Sequence, residues 1–270
     1  MRMGLIFFLS LSALPAQWLG YPTAGIPRKP DGTPNLTAQA PQTPNGQPDL
    51  SGLWMPEGDP TLGGPDPLPR FFLDIFGRLT PKIVPAELIP AAAQIYVRNR
   101  DNVGKLNPAS NCLPRGVPWA DTTPSPYKIL QLPGLVVILY EERTTFRQIF
   151  TDGRTHPADA QPSWLGYSIG KWESDTLVVE TKGFNDRGWL DTFGAPHSDE
   201  LHLTERFRRR DFGHMAIAIS IDDPKTYTKP VVFTQNVRLI PDSELLEDFC
   251  ENERDVKHMT GSAAEREFGK

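Results

Sequence analysis

From residue 127 onward apolar residues recur at every second position, and nothing between these runs is long enough to form a crossover helix. Nine segments read as strands: 127–132, 134–140, 144–150, 165–172, 175–182, 201–209, 214–221, 230–240 and 244–250. Side chains alternate across a strand, so each segment has one face to bury and one to leave wet. Consecutive strands of that kind pair antiparallel, and this many of them close on themselves or wrap into a curved sheet. The expected fold is mainly β, an antiparallel up-and-down barrel or a strongly curved sheet.

The first half obeys other rules. The chain holds 28 prolines, about twice the usual share, and they crowd the residues before 127. KPDGTPNLT (29–37) recurs as TPNGQPDLS (43–51), each with a proline, a turn pair, a second proline and an Asx-Leu-Ser/Thr end. Proline fixes φ and glycine permits the left-handed corner, so both units favour turns and extended backbone. They read as a strap or linker. The second unit runs into DLSGLW, where Gly52 and Trp54 look like the start of a strand. Residues 66–103 carry the helical periodicity, in LPRFFLDIFGRL and in PAELIPAAAQIYVRNRD, the latter interrupted at Pro90. One or two short helices are expected there.

At the N-terminus Arg2 precedes about a dozen apolar residues, too few to span a bilayer, and Ala16 offers a small residue for cleavage. The expected organisation is a signal peptide over 1–16, a proline-rich strap over 17–64, a β-rich domain over 65–252 and a polar tail over 253–270. Such a protein is secreted or periplasmic, with no transmembrane anchor once the signal is removed. A buried or disordered N-terminus is the alternative. Cys112 and Cys250 lie far apart and in no metal-type spacing. In an oxidising compartment they would form one disulfide; two unrelated buried thiols are the other reading.

Three strands place a polar residue midway along an apolar face: Phe146-Gln148-Phe150, Leu203-Glu205-Phe207 and Phe233-Gln235-Val237. Burying such a group unpaired costs about 1–3 kcal/mol or more. Gln148, Glu205 and Gln235 are therefore expected to line an interior that holds a ligand, or to form an internal network. Arg147 or Arg238 is the structural alternative as a partner for Glu205.

The connections alternate in character. EERT, ESD, RDFG and PDS are tight, whereas 151–164, 183–200 and 222–229 are long. In a meander every second connection lies at the same end, so the long loops should share one rim. They carry Asp152, Arg154, His156 and Trp164; Asp186, Trp189, Asp191, Phe193 and His197; and Asp222, Asp223 and Tyr227. Histidine beside a carboxylate is the commonest acid–base arrangement, because its pKa lies near neutral. An enzyme would use His197 or His156, oriented by Asp152 or Asp191. A binding protein would cover its ligand with Trp164, Trp189 and Phe193, with Arg154 and Tyr227 nearby.

Much is excluded. The net charge of -5 gives no nucleic-acid footprint. His197 and His202 differ by an odd number and would face opposite ways on a strand, so no protein-held metal is expected, and no cofactor motif occurs. No G-x-S-x-G elbow marks a serine nucleophile.

Taken together, PDLSGLW, FRQIFTDGRTHP, GYSIGKWESDTLVVETKGFND, HSDELHLTERFRR and IDDPKTYTKP resemble a family of secreted bacterial proteins of unassigned function, over residues 44–252. That resemblance implies no particular activity, cofactor or catalytic residue. Gly52-Leu53-Trp54 opening a β-rich region is similar to the Gly-x-Trp start of lipocalin-like (calycin) proteins, which implies a lipocalin-like barrel. The helical and proline-rich segment 55–126 departs from that pattern. The leading functional expectation is an exported barrel that binds a small apolar or aromatic molecule. The alternatives are an acid–base lyase, isomerase or hydrolase on the same scaffold, and a structural envelope protein.

Overall fold

The computed structural model describes residues 21–58, 73–78 and 84–250. The expected signal peptide, half of the first expected helix and the polar tail lie outside them. Nine strands form one closed barrel in chain order. They are β1 (Gly52–Pro56), β2 (Tyr127–Leu132), β3 (Leu135–Tyr140), β4 (Thr145–Phe150), β5 (Tyr167–Glu173), β6 (Thr176–Lys182), β7 (His202–Arg209), β8 (His214–Asp222) and β9 (Val231–Leu239). Eight of the expected segments are strands. The ninth, 244–250, is not. β1 closes the ring between β2 and β9, which leaves that segment no free edge to join. It runs along the outside instead, from Ile240, whose N–H donates to Leu53 O, to Asp248, which accepts from the Arg143 N–H at the other end.

Eight of the nine junctions are antiparallel, and β4 pairs with β5 in parallel through Ile149↔Ser168 and Phe150↔Ile169. That single junction changes the expected distribution of loops. Loops 183–201 and 223–230 do share one end of the barrel. Loop 151–166 must cross from one end to the other, because β4 and β5 point the same way. It leaves the first end at Thr151, whose N–H donates to Gly134 O, and reaches the second at Ser163, which pairs beside Phe184. Midway, His156 Nε2 donates to the carbonyl of Glu180 on β6. The expected common rim of three long loops is therefore a rim of two and a crossing strip.

Both ends are covered. At one, the two proline units fold alike: Lys29 N–H to Thr33 O in the first matches Thr43 N–H to Gln47 O in the second, both 2.8 Å. The first unit clasps the β7–β8 turn, with the Gly213 N–H donating to Leu36 O. Behind the second, the Arg209 guanidinium lies over the rings of Trp54 and Phe212, 4.9 and 5.1 Å from their centroids, and donates to Asp49 O and Ser51 O. The opposite end carries α1 (Pro90–Asp101), α2 (Val103–Leu106) and α3 (Trp119–Thr122). Pro90 begins α1 rather than interrupting a helix, since the first turn has no use for the N–H that proline lacks. Residues 73–78 form a turn around Asp74, whose Oδ1 accepts from the Phe76 and Arg78 N–H groups, in place of the helix expected there.

Cys112 and Cys250 are bonded, with Cα atoms 5.4 Å apart and 138 residues of separation. The bridge ties the outer segment 241–250 to the helix-bearing end. A closed loop of that length contributes up to about 4–5 kcal/mol in the chain-entropy model. The unfolded, unreduced protein should show no titratable thiol, and the Cys112→Ser, Cys250→Ser double variant should melt several degrees lower. Two reactive thiols in that titration would contradict the bridge.

Candidate functional site

Inside the barrel the alternation resolves differently on different strands. Glu205 and Gln235 do face the lumen, at 0% and 2% exposure. Gln148 does not. β4 pairs with β3 so that Arg147 opposes Ile138 and Gln148 opposes Val137, which turns Thr145, Arg147 and Ile149 inward and Phe146, Gln148 and Phe150 outward. One residue of register exchanges every side chain between faces. The inward position goes to Arg147 because a partner waits for it.

That partner is Glu205. Arg147 Nη1 donates to Glu205 Oε1 at 3.0 Å and Nη2 to Oε2, while Nε reaches Ser168 Oγ at 3.0 Å and Nη2 also reaches Thr181 Oγ1 at 2.9 Å. Asp121, carried in on α3, accepts from the Tyr140 hydroxyl at 2.7 Å and lies 3.7 Å from Arg147. Burial, and then the charge of Glu205, raise the Asp121 carboxyl to about 8, against the opposing pull of Arg147. Burial pulls the Arg147 guanidinium down, but Glu205 outweighs it and keeps the group charged. The cluster is thus one cation, one anion and one neutral acid. That composition is what lets it sit in a dry interior.

Among the described residues the lumen beside it is tightly packed. Ile138, Ile149, Leu203, Ile217 and Ile219 are all at 0% exposure, so no water-sized space touches them. Gln235 donates to the carbonyls of Glu57 and Asn236. Both inward-facing members of the expected ligand-binding wall therefore serve the packed core.

Open space lies instead on the outer wall, at the parallel junction. β5 pairs with only the last two residues of β4, so 145–148 have no strand on that side. A groove of about 350 Å³ fills the gap, lined by Phe146, Gln148, Phe150, Trp164 and Tyr167 among others. Gly166 makes the far wall possible. Its φ is +64°, and a Cβ there would meet Lys182 O at 2.9 Å and Thr181 Cγ2 at 2.7 Å, so no other residue fits this turn into β5. Phe150 and Tyr167 stack with centroids 5.2 Å apart, and the Arg154 guanidinium lies 3.8 Å from the Phe150 centroid. Arg154 also donates to Tyr167 Oη and is paired with Asp152, whose carboxyl that hydrogen bond holds below its ordinary pKa. Phe146 is 60% exposed.

The structure thus gathers Gln148, Trp164 and Arg154, with Asp152 as the partner of Arg154, at one place. It does not assemble the expected acid–base set. His197 is buried at the helix-bearing end, its Nδ1 donating to Ser198 O and its ring against Phe184. Burial pushes its pKa below 6.5, so it is neutral. Asp191 does not orient it. Its carboxylate accepts the backbone N–H groups of Ile75, Phe193 and Ala195, and burial raises it to about 6. His156 lies on the crossing strip, on the outer wall. Trp189 is buried with Ala109 and Trp119, Phe193 packs against the core, and Tyr227 is buried with its hydroxyl donating to Pro196 O, so none of the three covers the groove. Among the described residues no group of three or more His, Cys, Asp or Glu is placed to hold a metal ion. A scan against models of known families finds no match, and a search of curated proteins finds no significant one.

The lumen cluster has a measurable signature. Between pH 6.5 and 8 the folded protein keeps a proton on Asp121 that the unfolded chain has already released near pH 4. Stability therefore falls as pH rises through that window, by on the order of 2 kcal/mol. His197 and His202, both lowered by burial, oppose this trend only below about 6.5, and Asp191 reinforces it only up to about 6. Thermal melts should show a lower Tm at pH 8 than at pH 6.5, and Asp121→Asn should flatten the difference. A slope that survives the substitution would place the proton elsewhere.

Proposed function

We propose that this is an exported small-molecule-binding β-barrel whose site is the outer groove at the β4–β5 junction, and that its ligand is flat and largely apolar. The observation that carries the reading is the groove itself. Its volume of about 350 Å³ lies in the range of small-ligand sites, and its lining brings four aromatic rings, Phe146, Phe150, Trp164 and Tyr167, together with one side-chain amide, Gln148. Leaving a phenylalanine such as Phe146 largely in water forgoes about 1.5–3 kcal/mol relative to burying it, which a ligand lying across it recovers. Aromatic rings offer flat, low-entropy surface for stacking. The disulfide supports export, since such bonds persist in oxidising compartments.

Titration with 2-naphthalenemethanol, followed by tryptophan fluorescence, tests the site. Saturable binding is expected, weakened about tenfold or more by Trp164→Ala and by Phe146→Ala. Leu245→Ala, at the strap end, should leave it unchanged. Binding indifferent to both groove substitutions would locate the site elsewhere. For export, N-terminal sequencing of protein recovered from its own producing cells should begin between residues 17 and 24, and a start at Met1 would contradict it.

A further inference from the structure

We infer that the ligand of this groove is an aromatic carboxylate and that Arg187 selects its charge; the inference rests on the groove being the binding site. The chain as a whole is acidic, with 33 Asp and Glu against 28 Lys and Arg. Yet none of the residues that line the groove carries a carboxylate. The cations placed around it differ in availability. Arg147 faces inward and is consumed by Glu205. Arg154, at one edge, is neutralised by three hydrogen bonds to Asp152. Arg187 is different.

Its guanidinium lies over the Trp164 ring, 5.1 Å from the centroid, and the side chain is exposed. No described carboxylate forms an ion pair with it, the neighbouring Asp186 included. Its place is fixed by the backbone. The Arg187 N–H donates to Asn185 Oδ1 at 3.0 Å, and the Asn185 N–H donates to Ser163 O at 2.9 Å, so the clip that holds Ser163 at the groove also holds Arg187 beside Trp164. A guanidinium stacked on an aromatic face keeps its N–H fork in the plane, free for a carboxylate. A ligand ring lying along Phe146, Phe150 and Trp164 would bring an attached carboxylate to that fork, with Gln148 as a second polar contact.

The test compares two probes of one shape, 2-naphthoate and 2-naphthalenemethanol, at low salt. The wild-type protein should prefer the acid by about tenfold, and the preference should shrink as salt screens the exposed pair. Arg187→Gln should bring the ratio close to one while the alcohol binds as before, and Arg187→Lys should restore part of it. Arg187 is a surface residue, and an unchanged Tm will confirm that the variants are folded. Equal affinities in the wild type, or a preference that survives Arg187→Gln, would overturn the inference while alcohol binding keeps the groove reading intact. Saturable binding of neither probe would remove both.

Discussion

A ring of strands that alternates in direction all the way round needs an even number of members. This barrel has nine, so one neighbouring pair must point the same way, and that pair is β4 and β5. Much of the outer architecture follows from this. The connection between parallel strands has to travel the length of the barrel, which takes a dozen residues or more. Here 151–166 does so as an extended strip on the outside, pinned at Thr151, His156 and Ser163. The junction itself is short, and the groove is the space that the missing ladder leaves.

A wall joined at one seam by two residue pairs is weak there unless something else bridges it. Arg147 does. From β4 it reaches Ser168 on β5, Thr181 on β6 and Glu205 on β7, so one side chain crosses the seam and ties three further strands to it. Buried ion pairs bring little net stability in general, but removing one partner leaves an unpaired charge and costs about 3–5 kcal/mol. The cluster is best understood as a fastener whose position is dictated by the seam. Asp121 and Tyr140 complete it from the end of the barrel and couple the short helix α3 to the wall.

The barrel was legible in the sequence because period two is a property of each strand on its own. Eight strands, the strand start at Gly52 and the disulfide partners could all be read from the chain. Strand direction could not. Neither loop length nor periodicity carries it, and counting the ring requires knowing that β1 belongs to it and that 244–250 does not. The β4 register misled for a related reason. Phe146-Gln148-Phe150 is the more apolar set, and only the long-range demand of Glu205 for a cation turns Arg147 inward instead. Glu205 and Gln235 do face inward, as the alternation of their strands implies. In the loops, histidines beside aspartates suggested chemistry, but Asp191 is occupied by backbone N–H groups contributed by residues as distant as Ile75. Such closure depends on the folded path of the chain.

The same alternation that hides the fastener exposes the groove. Phe146, Gln148 and Phe150 face outward because Arg147 and Ile149, between them, face inward. The strap and Arg209 close one end of the lumen and α3 closes the other, while aliphatic side chains fill what lies between. Among the described residues the lumen beside the cluster is packed, and the aromatic groove lies on the outer wall. Arg147 lies beneath the groove and, through Glu205, ties its wall to β7.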